Sequence, residues 1–280
     1  MTPFTVWRLE NRRALTDRVN GTWAADRDGL PVIVKFFTEQ DWRYPLRVAA
    51  ALRAQGWPTP EPIEEPLVVP EGAWVLFARL PGEPRQASQE ERRARGRLLA
   101  ELHLAATATG IVAQRGGFAL PAAVVGDPEL EHWLRVHETA HPEEGGILRR
   151  CRDDAVSWFA GHPEPDVPRS VIHGDFAVWN LLYDGGRLTG LIDFEASHHT
   201  FQVADFVLSW RGYQDEVIRG YQEVRPLSEL EREMIVPVYR AWMFLGLKRE
   251  LAAHHDRGAP LDLTWQLTHI KRVTTRGHAG

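Results

Sequence analysis

The sequence predicts an α+β protein, β-rich over residues 1–82 and mainly helical over residues 83–280, built as one large domain or as two lobes. Three features carry that expectation. Short apolar runs separated by hairpin signals fill the first part of the chain. Apolar residues at helical spacing dominate from Ser88 onward. Residues 171–195, VIHGDFAVWNLLYDGGRLTGLIDFE, interrupt the helical part with a loop and a hairpin that gather two carboxylates and a carboxamide.

Taken in chain order, residues 15–22, 23–26 and 31–37 are the strand candidates of the small lobe, with turn signals at Asn20-Gly21 and at Asp26-Arg27-Asp28-Gly29. The run PVIVKFF sets a lone cation, Lys35, in an apolar strand, and a half-buried ammonium needs an anion. The only other lysines are Lys248 and Lys271, so a chain that otherwise uses arginine keeps a compact point charge here. Alternation alone also fits Lys35 on the solvated outer face of an edge strand. Residues 41–55 read as a helix with Leu46, Ala49, Ala50 and Leu52 on one side and Pro45 confined to its first turn. GWPTPEP then runs extended. Residues 74–80 form an apolar strand closed by Pro81-Gly82, where the lobe boundary is placed.

Beyond the boundary, Ser88 caps a helix in which Leu98, Leu99 and Leu102 repeat at helical spacing. Further helices are expected at residues 127–139 and 148–160, and Ser228 with Glu231 forms a capping box before a long helix. His132, His137 and His141 do not share one helical turn and Pro142 breaks the run, so they are not read as zinc ligands. Cys151, the single cysteine, excludes an internal disulfide, suits a reducing cytoplasm and reads as a helix-face residue.

In the stretch 171–195 a buried strand ends at Ile172 and His173-Gly174-Asp175 leaves it in a sharp turn. Asn180 opens the next apolar run, Asp184-Gly185-Gly186 reverses the chain, and the returning strand ends at Asp193. Asp175, Asn180 and Asp193 are therefore expected at one strand-end edge. Phosphoryl transfer from a nucleotide asks for such a set. One carboxylate orients the attacking hydroxyl, while a second carboxylate and an amide oxygen hold magnesium ions that neutralise phosphate charge. Taken singly, each residue also has a plain turn or cap reading.

His-Gly-Asp, four residues, Asn, and an Ile-Asp some dozen residues on resemble the signature of the aminoglycoside phosphotransferase and choline kinase superfamily, and the resemblance extends from about residue 15 to about residue 251. It implies a protein-kinase-like bilobal fold with ATP and Mg2+ in the cleft. It implies Asp175 as the catalytic carboxylate, Asn180 and Asp193 as metal ligands, and Lys35 on the α and β phosphates. Asn20, Gly21 and Thr22 would turn over the phosphates, and backbone near Phe77 and Arg79 would meet the adenine edge. His173 would bond loop backbone, Asp205 would brace the catalytic loop, Glu195 would stand at the cleft edge, and His103 would be structural. Two departures stand out. Where the family places a helix glutamate to pair with the lysine, this chain reads Tyr44-Pro45-Leu46-Arg47-Val48, and its nearest acids are Glu39 and Asp41. Thr200-Phe201-Gln202 replaces the usual Gly-Asp-Pro.

Net charge of −5 offers no basic face for nucleic acid, and the chain shows neither a signal-peptide core nor a membrane span. The expectation is a cytoplasmic ATP-dependent enzyme that moves the γ-phosphoryl group to a hydroxyl of a small molecule, without nucleic-acid or membrane partners. Residues 220–231 also resemble the bacterial homoserine kinases of the superfamily, so homoserine or another amino alcohol is the alternative acceptor. A polycationic aminoglycoside wants a carboxylate-rich cleft; an amino acid wants an arginine, for which Arg211 and Arg240 are candidates. Trp210, Arg211, Tyr213, Tyr239 and Trp242 are candidate acceptor walls, although aromatics at helical spacing are more often core. A nucleotide-binding module without catalysis is the distant alternative.

Overall fold

The computed structural model describes residues 2–15, 21–37, 41–210 and 215–276. A one-turn helix α1 (Pro3–Val6) precedes strands β1 (Glu10–Ala14), β2 (Thr22–Arg27) and β3 (Leu30–Phe37). Helix α2 (Arg43–Ala54), β4 (Leu67–Val69) and β5 (Gly72–Ala78) follow, and the five strands form one antiparallel sheet in the order β1-β2-β3-β5-β4. Asp28 and Gly29, both at positive φ, make the tight turn between β2 and β3 that their sequence predicts.

The first strand departs from expectation. It is Glu10–Ala14, exposed throughout, and not residues 15–22. An edge strand made of ENRRA has no apolar alternation to read, so the pattern draws the eye to Leu15 instead. Asn20 lies outside the described residues.

Alternation along β3 sorts its side chains. Val32 and Val34 pack with Trp7, Leu9, Ala25 and Leu76 on one face of the sheet, while Ile33 and Phe37 pack with Trp42, Val75 and Phe77 on the other. Lys35 shares the second face, which looks into the cleft. Helix α2 buries Tyr44, Val48, Ala49 and Leu52 in the helical core.

Beyond β5 come β6 (Glu83–Pro84), α3 (Gln89–Ala108), α4 (Pro121–Val125), α5 (Pro128–Ala140) and α6 (Pro142–Gly161). Ser88 Oγ accepts from the Glu91 amide, as a cap should. Helix α6 starts six residues earlier than the predicted 148–160. Gly145 and Gly146 weaken the helical signal there, yet a Cβ at Gly145 would lie 2.3 Å from Glu138 Cα, so the glycine lets α5 and α6 touch.

Strand β7 (Arg169–Ile172) pairs with β10 (His198–Phe201), and between them runs the hairpin of β8 (Leu181–Asp184) and β9 (Arg187–Leu191). Strand β6 joins that hairpin through β8. At the junction after β5, Thr189 Oγ1 donates to Pro81 O at 2.6 Å, and a Cβ on Gly82 (φ 98°) would lie 2.6 Å from Tyr183 O. Helices α7 (Ala204–Trp210), α8 (Asp215–Val224), α9 (Glu229–Met243), α10 (Leu247–Arg257) and α11 (Thr264–Arg276) complete the helical part, and the Ser228–Glu231 capping box is formed. Among the described residues, no helix is long and apolar enough to cross a membrane.

Candidate active site

Strand β7 leads directly into the His173-Gly174-Asp175 turn. Gly174 has φ 81°, and a Cβ there would lie 2.2 Å from Ala196 O, so the loop and the turn after β9 meet backbone to backbone. Asp205, fully buried in the first turn of α7, accepts from the amides of His173 (2.9 Å) and Gly174 (2.8 Å) and bonds His103 Nε2 at 3.0 Å. Burial alone would raise this carboxyl; the His103 hydrogen bond, the histidine charges and the His173 amide hold it below the usual range.

The support extends outward. Tyr221 Oη lies 2.9 Å from His103 Nδ1 and accepts from Arg225 Nε at 2.8 Å, and Arg225 pairs with Glu231 of the α9 cap. Tyr221 thus joins Arg225 to one nitrogen of the His103 ring, whose other nitrogen meets Asp205. His173 is buried, which disfavours its charged form and lowers its pKa. Its Nδ1 accepts from the Asp175 amide at 3.2 Å, and its Nε2 donates to Ile192 O at 3.0 Å, so the ring ties the loop to the end of β9.

Asn180 Nδ2 donates to Asp175 O (2.8 Å) and Asp175 Oδ2 (3.0 Å), and the Ile192 amide donates to Asn180 O at 3.0 Å. Asp175, Asn180 and Asp193 are thus drawn to one edge. With its nitrogen given to Asp175, the Asn180 side chain has an amide oxygen that could take a cation. Asp193 adopts a left-handed backbone (φ 73°, ψ 60°), an uncommon conformation for a residue with a Cβ.

Across the cleft, Lys35 Nζ donates to Asp193 Oδ1 at 2.7 Å and forms an ion pair with Glu195. Burial alone would lower the Lys35 pKa, but the two carboxylates raise it. Burial would likewise raise Asp193, yet Lys35 and a hydrogen bond from Glu195 hold it below the usual range. Glu195 is raised by burial, against the pull of Lys35, with the Asp193 charge adding to the rise. The Glu195 and Ser197 carbonyls are gripped by Arg115 Nη1, whose guanidinium is pushed down to about 10 by burial against the opposing charge of Glu195.

The cleft measures about 350 Å3, and Thr22, Lys35, Phe77, Arg79, Asp193 and Glu195 all line it. Gly21 adjoins it, its carbonyl accepting from the Phe36 amide at 3.1 Å. The Arg79 amide donates to Pro31 O at 3.2 Å and so continues the sheet.

Of the acceptor-wall candidates, Tyr239 is buried with its hydroxyl 2.6 Å from His269 Nδ1 and Trp242 packs edge-on against Trp265, while Arg240, the candidate for an acceptor carboxylate, pairs with Asp154 at 3.1 Å. Arg211 and Tyr213, like the side chain of Trp210, lie outside the described residues. The His137 and His141 rings sit 4.8 Å apart and close to His254 and His255, whereas His132 turns to Trp133. Among the described residues, no group of three or more His, Cys, Asp or Glu side chains could hold a metal ion. Sequence reading missed Arg115 entirely. Its partners are carbonyls some eighty positions away, and no local pattern announces them.

A small antiparallel sheet whose lysine meets carboxylates from a hairpin in a helical lobe is the layout of the protein-kinase-like fold class. Residues 14–233 match the model of the phosphotransferase enzyme family, and the chain belongs to that family. Among curated relatives, a homoserine kinase of Agrobacterium fabrum (strain C58 / ATCC 33970) is 29% identical over 196 residues, 61% of this chain and 58% of that protein, so the match spans under two thirds of the relative's length. Among solved structures, a thermostable mutant of aminoglycoside phosphotransferase APH(4)-Ia in apo form superposes with TM-score 0.70 at 18% identity, covering 96% of this chain and 95% of that one. Amicoumacin kinase hAmiN, solved with AMP-PNP, Ca2+ and Ami, gives TM-score 0.67 at 13% identity, covering 98% and 92%.

Proposed function

We propose that this chain is an ATP- and Mg2+-dependent O-phosphotransferase acting on a hydroxyl of a small molecule. The observation that carries the reading is the pairing across the cleft. Asp175 and Asn180 are joined by a side-chain hydrogen bond, and Asp193 meets Lys35 beside them. Asp175 orients the acceptor hydroxyl and receives its proton, held in place by Asn180 and by the amides that Asp205 fixes. Asp193 and the Asn180 amide oxygen fit Mg2+, which takes hard oxygen donors and is commonly held by one or two carboxylates together with water and phosphate oxygens. Such an ion would neutralise charge between the phosphates. Lys35 clamps the phosphates, Thr22 with Gly21 lies near them, and Phe77 with Arg79 walls the base. The lobes meet at Pro81-Gly82.

The homoserine kinase relative favours an amino alcohol as acceptor, while the superposed aminoglycoside phosphotransferase keeps an aminoglycoside in view. ADP release measured over aminoglycosides, homoserine, choline and related alcohols discriminates them. No ADP with any acceptor, despite Mg-ATP binding, would leave a nucleotide-binding module. Asp175→Ala is expected to cut turnover by a factor of about 10³ with ATP still bound. Retention of most of the activity would overturn the role assigned to Asp175.

A further inference from the structure

In nucleotide kinases of this layout the lysine of the third strand pairs with a glutamate on the neighbouring small-lobe helix. Helix α2, RYPLRVAAALRA, holds no acid. Asp41 stands in the turn ahead of it, and Glu39 lies outside the described residues. Among the described residues, the carboxylates that reach Lys35 come instead from the turn after β9, Asp193 at 2.7 Å and Glu195 in direct ion-pair contact. Leu46 and Ala49, on the face of α2 that lines the cleft, stand where a helix carboxylate would have entered it.

We propose that Glu195 is the positioning residue of Lys35, standing in for the absent helix glutamate. The inference rests on reading the cleft as a nucleotide site. One consequence of that reading and two observations argue for it. Asp193 is the cation ligand of the proposed function, so when a metal engages it Lys35 needs a second carboxyl group to hold its direction. Glu195 supplies one from a side chain largely withdrawn from water. Its backbone is fixed independently, since Arg115 grips the Glu195 and Ser197 carbonyls and Ala196 O abuts Gly174. A pair between strand and helix stays within the small lobe; this one crosses the cleft. Lys35 is therefore aimed only when the sheet and the turn after β9 stand at their observed separation.

The test compares wild type, Glu195→Gln, Leu46→Glu and the double variant, with Ala49→Glu as a second graft. A fluorescent ATP analogue reads nucleotide Kd without acceptor, Mn2+ titration reads metal affinity, and circular dichroism checks the fold. Glu195→Gln is expected to weaken nucleotide about tenfold, the scale of one well-placed charge pair, with Mn2+ affinity within about twofold of wild type. Either graft in that background is expected to recover most of the loss. Unchanged nucleotide affinity in Glu195→Gln would overturn the inference. So would a loss of Mn2+ affinity that neither graft restores, since Glu195 would then be a metal ligand. Failure of wild type to bind Mg-nucleotide at all would overturn the kinase reading itself, which is a different outcome.

Discussion

At the residue scale, the cleft works by opposed charges whose neighbours decide their state. Lys35 is held as an ammonium by Asp193 and Glu195, and its replacement removes the cation that the proposed function sets on the phosphates. Lys35→Met is expected to raise the KM for ATP at least tenfold with the fold retained, measured by steady-state kinetics and circular dichroism. Cys151 illustrates the reverse. Burial pushes its thiol up to about 12, so thiolate is scarce at pH 8. It is expected to resist a disulfide reagent in the native protein and to react fully once the protein is unfolded in guanidinium. The helix-face reading of Cys151 was available from sequence, as were Asp175, Asn180 and Asp193, because each sits in a short contiguous pattern. The pairing of Glu195 with Lys35 was not. Glu195 lies 160 positions downstream, and nothing in the spacing ties the two together.

At the scale of elements, glycine and cap chemistry decide where the loops rest. The catalytic turn touches the turn after β9 at a point where only hydrogen fits. Gly174→Ala meets both a positive φ and a 2.2 Å approach to Ala196 O, so it is expected to lower kcat far more than it changes nucleotide Kd. The α9 cap is gentler. Ser228→Ala removes the hydroxyl that accepts from the Glu231 amide and is expected to cost about 1 kcal/mol in urea unfolding. That box was legible because it is local and reciprocal. The exposed strand Glu10–Ala14 was not, since polar edge strands carry no alternation. Helix α6 hid its start behind two glycines that packing against α5 explains.

At the scale of the whole molecule, the histidines that link α5 to α10 set an acid limit on stability. His137 is buried, and burial first, then His141, His255 and His254, push its pKa down to about 4, below the 6.5 of an unfolded chain. Glu144 Oε2, 3.9 Å from its Nε2, is the acid facing it. The unfolded chain thus binds more protons between pH 4 and 6.5, and stability falls as pH drops through that window. The Tm of wild type is expected to fall by several degrees more between pH 7 and pH 4.5 than that of His137→Gln, read by differential scanning calorimetry.

The order of a β-rich first part and a helical second part was legible from strand and helix patterns, and the protein-kinase-like class from the motif resemblance of residues 171–195. The tie between the parts was not, because Thr189 and Pro81 are more than a hundred residues apart. That tie has a mechanical meaning. The connection after β5 is fastened to the β8–β9 hairpin, and the hairpin's two ends are the places from which Asn180 and Asp193 reach out. Rocking the sheet against the helices would then pull on the same lever that closes fingers around a cation, so opening to let product leave and loosening the ion would be a single stroke.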